Sequence, residues 1–236
     1  MASTNSYLKE LLSNSAPAAE GTVILADEQF AGRGQINNSW HSEKGKNLTF
    51  SILLNPGFLA IKQQFELNKA ISLAVADVLT INLGQGFKIK WPNDILFGSK
   101  KIAGILIENI IQGNRWKHAI IGIGLNVNQT HFPPELNKAI SIKNILQTDC
   151  DLNQLLADLC KAVEVRYLQL KAGKLAALHQ DYLNALYKFE ENSAFRLNGA
   201  LKNGKITGIS PIGLLQVDLA GEAREFGLKE IEFVID

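Results

Sequence analysis

The sequence predicts an α+β protein in which a mixed β-sheet packs against helices and a small all-β unit follows. Apolar residues recur with helical spacing over residues 66–83, whereas residues 47–54 and 115–128 form apolar runs typical of buried strands. After about residue 190, short alternating runs are separated by predicted turns at Asn203-Gly204, Pro211, Gly213 and Gly221, the pattern of a small antiparallel sheet or barrel. We therefore predict one domain over residues 1–190 and a second over residues 191–236.

Composition and charge exclude several classes of protein. The chain has 236 residues, of which 46% are hydrophobic, enough for a sizeable core. Its net charge is +1, so no overall field draws it to DNA or to a membrane, and no apolar run reaches the length of a membrane span. Cys150 and Cys160 lack metal-binding spacing, which predicts reduced thiols in a cytoplasmic protein.

The first elements surround a long connection. Ser3, Thr4 and Asn5 precede an apolar helical stripe, so a helix is predicted to begin with small polar residues that either cap it or contact a ligand. Residues 22–28 predict a buried strand and residues 47–54 the neighbouring strand, with a glycine-rich loop between them. Loops of this length in compact domains are more often functional than idle.

The centre of that loop is the stretch GRGQINNSW, residues 32–40. Gly32 and Gly34 allow the backbone to come close to a ligand and turn its N–H groups toward an anion. Arg33 supplies a forked cation, and Trp40 supplies a flat face for a planar ring. The same tripeptide occurs in ordinary surface loops, so the motif alone leaves both interpretations open.

A helix over residues 66–83 is predicted to end at Gly84, and a series of short strands follows it. The pattern places strands up to residue 91, over residues 95–97 and from residue 102 onward. Polar residues gather at the bends between these strands and are predicted to project from one edge of the sheet: Asn93, Asp94, Lys100 and Lys101. Turn chemistry and a solvated edge are the alternatives.

The last strand of this series is interrupted by small and polar residues. Gly122, Gly124 and Asn126 break its apolar face, which weakens packing and indicates that another group approaches the backbone there. The spacing does not match a dinucleotide fingerprint, since neither a third glycine nor a helix follows. Two helices, over residues 151–170 and 174–187, complete the first domain.

Five motifs occur in one order over residues 3–128: Ser-Thr-Asn, a QxxGRG loop with a distal tryptophan, KWPND, KIAGILIE and GIGLNVN. This set resembles the catalytic module of biotin protein ligases, and the tail is similar to the SH3-like barrel that ends the bacterial members. The resemblance implies a class II synthetase-like catalytic domain followed by a small SH3-like β-barrel. It also implies the monofunctional form, which has no N-terminal DNA-binding domain.

The resemblance assigns a role to individual residues of this chain. It implies that biotin is bound by Ser3, Thr4, Asn5, Gln29, Gly32, Arg33, Gly34, Gln35, Lys101 and Gly104. It implies that ATP is bound by Trp40, Asn93, Asp94, Leu125 and Asn126, with Asp94 as a ligand of magnesium. Lys101 and Arg33 are the residues expected to be catalytic.

The implied reaction has two steps. Biotin and ATP form biotinyl-5'-AMP and pyrophosphate, and the biotinyl group then passes to a lysine of a biotin carboxyl carrier protein. A carboxylate has to approach an α-phosphate in the first step, and a cation such as Lys101 between two anions removes their repulsion. Gln35 stands where these enzymes usually carry a second arginine, so we expect weaker retention of biotinyl-AMP, unless Lys44 or Lys46 compensates.

Two other functions remain open from the sequence. A lipoate or octanoate ligase or transferase would share the core, but its arginine-rich, glycine-triplet loop is not found here. A non-catalytic biotin or nucleotide sensor would bind the same ligands, but it has no need of a cation at the reacting centre. An edge strand of the main sheet offers a surface for a second copy of the chain, so a homodimer is also left open.

Overall fold

The structure is a computed structural model that describes residues 1–14, 18–36 and 38–234. Its helices and strands follow one another in this order: α1 (Thr4–Ser13), β1 (Val23–Leu25), β2 (Leu48–Leu54), α2 (Gln64–Leu83), β3 (Phe87–Lys90), β4 (Asp94–Phe97), β5 (Lys100–Gln112), β6 (Arg115–Leu125), α3 (Ile142–Leu146), α4 (Leu152–Lys171), α5 (Leu175–Ala185), β7 (Asn192–Leu197), β8 (Ala200–Ile209), β9 (Leu215–Leu219), β10 (Glu222–Phe226) and β11 (Glu232–Phe233).

The first sheet has six strands in the order β1-β2-β6-β5-β4-β3. Its strand pairs are antiparallel, and among the described residues parallel pairing is confined to isolated bridges such as Ile89 with Leu186 and Lys101 with Ala139. All seven residues of β2 are buried, because both faces of this strand are covered. The predicted α+β class is confirmed, and the mixed pairing expected from the sequence is limited to these bridges.

The two faces of the first sheet have different coverings. The long apolar helix α2 packs on one face, where Phe50, Ile121 and Ile123 belong to the large core. The shorter helix α1 packs on the other face through a small separate cluster of Leu8, Leu53 and Ile120. Because side chains alternate along a strand, residues 120, 122 and 124 of β6 face the α1 side, while residues 121, 123 and 125 face α2.

The second sheet has five antiparallel strands in the order β10-β9-β8-β7-β11. No pairing of β10 with β11 closes it into a barrel within the described ranges, so the SH3-like barrel stays a prediction. Its core residues, among them Phe195 and Val217, join the large core of the first sheet in one contiguous cluster. Trp91 Nε1 also donates to the Gly213 carbonyl at 2.9 Å, which ties the two sheets together. The domain boundary near residue 190 likewise stays a prediction.

Two details of the strand predictions are wrong. The strand predicted to be buried over residues 22–28 is the short edge strand β1, in which Val23 and Leu25 are 36% and 40% exposed because β1 pairs with β2 alone. The predicted Asn203-Gly204 turn lies inside β8, and the chain turns instead at Asn198 and Gly199, where φ is positive.

Other elements carried too weak a pattern to be predicted. The five-residue helix α3 and the exposed strand β10 were both missed. The run EIEFVI becomes the two-residue strand β11, and Ile235 of that run lies outside the described residues. Within the part of the chain that the structure describes, no helix is both long enough and apolar enough to span a bilayer.

Candidate functional site

The site is built on three cross-strand rows on the α1 side of the first sheet. Register places Thr49, Gly124 and Gly104 in one row. The next row holds Ser51, Gly122 and Leu106, and the third holds Leu53, Ile120 and Glu108. The glycines leave the middle of this surface without side chains, so other groups can lie directly on the backbone. We call these three rows the sheet floor.

Two side chains fill the space that the glycines leave. A Cβ added to Gly122 would clash with Asn5 Oδ1, and a Cβ added to Gly124 would clash with the ring of Trp40. A Cβ on Gly104 would lie 3.1 Å from Trp40 Cζ3. The prediction that other groups approach the backbone of β6 is therefore confirmed, and those groups are Asn5 and Trp40.

The start of α1 brings a polar network to one end of the sheet floor. Ser3 caps the helix, and Thr4 donates to Gln29 Oε1 through its backbone N–H at 2.8 Å and through its hydroxyl at 3.1 Å. Ser51 Oγ lies 2.7 Å from Thr4 Oγ1 and 2.5 Å from Asn5 Oδ1. Among the described residues Gln29 Nε2 has no hydrogen-bond partner, which leaves it free to donate to a ligand.

The glycine loop folds back on itself over the sheet floor. Trp40 N–H donates to the Gly32 carbonyl at 2.9 Å, and Gly34 N–H donates to the Asn38 carbonyl at 2.7 Å. A Cβ on Gly32 would clash with the Trp40 carbonyl oxygen, so the turn requires glycine there. Asn37 lies outside the described residues.

The indole of Trp40 differs from the other two in the chain. Trp91 and Trp116 donate their ring N–H groups to carbonyl oxygens at 2.9 Å and 3.0 Å. Trp40 Nε1 is buried and has no partner among the described residues. A buried donor without an acceptor costs about 1–3 kcal/mol, so this ring is the indole most readily moved by a ligand.

Cations and one carboxylate gather at the other end of the sheet floor. Asp94 lies opposite Gly104 in the sheet, and its Oδ1 forms an ion pair with Lys101 Nζ at 2.6 Å. Lys90 Nζ lies 4.0 Å from the other oxygen of Asp94 and 5.4 Å from the centre of the Phe233 ring. Burial lowers the pKa of Lys90, with Asp94 opposing the change and Lys101 adding to it. Lys101 Nζ also lies 5.5 Å from the centre of the Trp40 ring.

Asn93 and Lys100 behave differently from Asp94 and Lys101. Asn93 Nδ2 donates to the Ile105 carbonyl at 2.5 Å, so this amide is partly used in holding the bend before β4. Lys100 is exposed and does not line the cavity, because adjacent residues of a strand point to opposite faces. The prediction that all four polar residues project together is wrong for Lys100.

A cavity of about 400 Å³ lies between the sheet floor, the loop and the second sheet. The predicted site residues that line it are Ser3, Thr4, Asn5, Gln29, Arg33, Gly34, Gln35, Trp40, Asn93, Asp94, Lys101 and Gly104. Gly32, Leu125 and Asn126 do not line it. Leu125 is buried on the α2 side of β6, and Asn126 donates to the Ile140 carbonyl at 3.1 Å.

Several lining residues were not predicted from the sequence. Lys90 is the first residue of the KWPND motif, so its charge beside Asp94 was a signal that could have identified it. Lys229, Glu232 and Phe233 reach the cavity from the second sheet, and no motif marked them. Lys44 and Lys46 were expected to compensate for Gln35 but do not line the cavity, and Lys44 lies 3.8 Å from Glu28.

The fold and the cavity define an α+β ligand-binding domain that offers polar groups to one end of a small molecule and cations to the other. The chain belongs to the biotin/lipoate A/B protein ligase family, whose family model matches residues 1–126. Within that family it is similar to the bifunctional ligase/repressor BirA of Bacillus spizizenii, with 32% identity over 98% of this chain and 71% of that protein.

Two further comparisons agree with this placement. The biotin–[acetyl-CoA-carboxylase] ligase of Paracoccus denitrificans is 30% identical over 85% of each chain. The biotin protein ligase from Aquifex aeolicus in complex with biotin and ATP superposes with a TM-score of 0.82, at 27% identity, over 99% of this chain and 95% of that one. The resemblance inferred from the five motifs is confirmed.

Proposed function

We propose that this chain is an ATP-dependent biotin–[acetyl-CoA-carboxylase] ligase. It would convert biotin and ATP to biotinyl-5'-AMP and then transfer the biotinyl group to a lysine of a biotin carboxyl carrier protein. The observation that carries the proposal is the Lys101–Asp94 ion pair of 2.6 Å at the edge of the sheet floor, which the Gly-Arg-Gly loop covers.

The bicyclic ureido ring of biotin would lie at the polar network of α1. Ser3, Thr4 and Asn5 are at most 4% exposed, and their hydrogen bonds are fixed by neighbours, so they form a rigid wall. Among the described residues, the amide nitrogen of Gln29 is a donor that remains for a ligand. The valerate tail would then run along the sheet floor over Gly104 toward Lys101, and the Trp40 ring would shift to admit it.

Lys101 would reduce the repulsion between the two reacting anions. A carboxylate oxygen of biotin attacks the α-phosphorus, the bond to the β-phosphate oxygen breaks, and pyrophosphate leaves. One ion pair at about 4 Å is worth roughly 4 kcal/mol at an effective dielectric constant near 20, but about 1 kcal/mol in water. The Lys101 side chain is 38% exposed in this structure, so closure of the loop over the ligands would strengthen its effect.

In the second step the carrier lysine amine attacks the carbonyl carbon of biotinyl-AMP. The acyl–phosphate bond breaks, AMP leaves, and the nitrogen loses a proton. The covering loop would protect the mixed anhydride from water until the carrier arrives. Arg33 would contribute by fixing the loop over the intermediate.

ATP would occupy the cationic end of the cavity. The Trp40 ring would stack on adenine, and Asn93 and Asp94 would contact the phosphates. Leu125 and Asn126 would contribute indirectly, by packing beneath the sheet floor. Among the described residues no group of three or more histidine, cysteine or acidic side chains is placed to hold a metal. Asp94 therefore fits magnesium only as one oxygen ligand of an ion held mainly by phosphates and water, the mode that magnesium prefers.

The partner would be a biotin carboxyl carrier domain, and neither DNA nor a membrane is proposed as a partner. The unpaired edge of β1 would be the surface for a homodimer. The lipoate or octanoate alternative and the sensor alternative are not favoured, because the relatives and structures reported above carry biotin ligase names.

Biotin-dependent exchange of labelled pyrophosphate into ATP tests the proposal. We expect exchange with biotin and none with lipoate or octanoate. Exchange supported by octanoate but not by biotin would replace the proposed substrate. Biotin binding without any exchange would identify a sensor instead.

A further inference from the structure

We propose that Glu108 is a positioning residue that fixes the glycine loop to the polar network at the start of α1. This inference deepens the proposed function and rests on it. Glu108 contacts the loop with one carboxylate oxygen and α1 with the other. It does not line the cavity itself.

The first contact is with the loop. Arg33 Nη2 donates to Glu108 Oε1 at 2.7 Å, and Arg33 Nη1 lies 3.4 Å from Ser6 Oγ on α1. The Glu108 side chain is 19% exposed and stands in a rigid strand, whereas the Arg33 side chain is 45% exposed. Glu108 is therefore the fixed end of the pair, and Arg33 is the end that moves with the loop.

The second contact is with the buried network. Asn5 Nδ2 donates to Glu108 Oε2 at 2.9 Å and to the Leu106 carbonyl at 3.3 Å. With both amide hydrogens used, Asn5 can present only its carbonyl oxygen, which lies 2.5 Å from Ser51 Oγ. Ser51 in turn contacts Thr4, which holds Gln29. The orientation of this network therefore starts from the same carboxylate that holds the loop.

Strand geometry explains why this residue can make both contacts. Glu108 lies on β5 in the third row of the sheet floor, on the same face as Gly104 and two rows away from it. Arg33 and Asn5 approach that row from the loop and from α1. One carboxylate can accept from both because it has two oxygens and about four lone-pair sites.

The consequence is a coupling between the loop that covers the ligand and the groups that recognise it. Glu108→Gln keeps the size of the side chain but turns one acceptor into an NH₂ donor, which faces either Arg33 or Asn5. In either orientation the negative charge that pairs with Arg33 is lost, so the loop is held less firmly. Because Glu108 holds the loop and the network without touching the reacting groups, the variant should weaken ligand binding.

Two measurements on the full chain test this inference. In limited trypsin digestion without ligand, we expect cleavage after Arg33 to be about tenfold faster in Glu108→Gln, since hydrogen bonds to charged groups are worth about 1.5–3 kcal/mol. Cleavage after Lys44 and Lys46, measured in the same digest, should change by less than about twofold. By calorimetry, the Kd for biotin should rise about tenfold.

Asp77→Asn is the matched control. Asp77 forms an ion pair with Arg166, also at 2.7 Å, on the α2 and α4 side of the sheet, far from the loop. This variant should lower thermal stability without changing the Kd for biotin or cleavage after Arg33. In an Arg33→Gln background, Glu108→Gln should change the Kd for biotin by much less than in the parent chain.

Three results would overturn the inference. The first is an unchanged rate of cleavage after Arg33 in Glu108→Gln. The second is a Kd for biotin in Glu108→Gln that is no higher than in Asp77→Asn. The third is a rise in Kd on adding Glu108→Gln that is as large in the Arg33→Gln background as in the parent chain. The digestion needs neither ligand nor turnover. If the parent chain fails to bind biotin or to exchange pyrophosphate, the proposed function falls, while the digestion still decides whether Glu108 holds the loop.

Discussion

Replacing Gly124 with alanine should interfere with the ligand site while leaving the fold intact. An added Cβ would lie 2.7 Å from Cζ2 and 2.8 Å from Cδ2 of the Trp40 ring. The nearest ring atom, Cε2, lies closer still, and ordinary contacts begin near 3.4 Å, so the ring must retreat by roughly 1 Å from the sheet floor. Packing clashes of this kind cost about 1–3 kcal/mol, and each 1.4 kcal/mol is a tenfold change in affinity. The added methyl group meets whatever lies on the sheet floor, whether the Trp40 ring or a ligand that displaces it, so we expect biotin and ATP to bind about 5–150-fold more weakly.

The fold should tolerate Gly124→Ala, because Trp40 belongs to a loop and can move away. Gly57→Ala is the matched control, since the nearest atom to its added Cβ is the Trp116 carbonyl oxygen at 3.5 Å. Calorimetry would give both dissociation constants, and thermal unfolding would compare the stability of the two variants. Equal affinities for biotin and ATP in the two alanine variants would refute the idea that the sheet floor and the Trp40 indole above it form the ligand site.

Three other predictions concern Lys101, Gln35 of the loop and the partly buried His179. Lys101→Ala should abolish biotin-dependent pyrophosphate exchange while Lys100→Ala stays within about threefold of the parent; the reverse would place the wrong lysine at the ligand. Gln35→Arg should slow release of free biotinyl-AMP, measured by trapping the released adenylate, and equal release would remove that hypothesis. Burial and the charge of Lys69 keep the pKa of His179 below its ordinary value of 6.5. As pH drops through about 6.5, the unfolded chain therefore binds the proton before the folded chain does, and the free energy of unfolding falls. His179→Gln should lose less thermal stability between about pH 7.5 and pH 5.5, and an equal loss would mean that another group titrates.

The sequence predicted contacts correctly where a motif lies within one helix, one strand or one short hairpin. Ser3 caps α1, which is one of the two roles that the sequence left open, and the glycines of β6 correctly indicated that another group lies on the backbone there. Asp94 and Lys101 also meet, because a short antiparallel hairpin brings the ends of KWPND and KIAGILIE together. In each case the contacts follow from strand or helix geometry over short distances in the sequence.

Contacts that depend on tertiary packing were missed. Glu108 received no role, because its partners Arg33 and Asn5 are separated from it by 75 and 103 residues. Lys229 reaches the cavity only because the second sheet docks beside the first, and alternation in the sequence does not determine that docking. Leu125 was expected at the ligand, but side chains alternate along β6, so Leu125 points into the core on the opposite face of the sheet.

The most direct test of the proposed activity is the mass of a purified biotin carboxyl carrier domain after incubation with this chain, biotin and magnesium-ATP. We expect one lysine of the carrier to gain a single biotinyl group, with no gain when ATP is omitted or when Lys101→Ala replaces the parent chain. A carrier that keeps its original mass in the complete mixture, although the chain is folded, would contradict the proposed function.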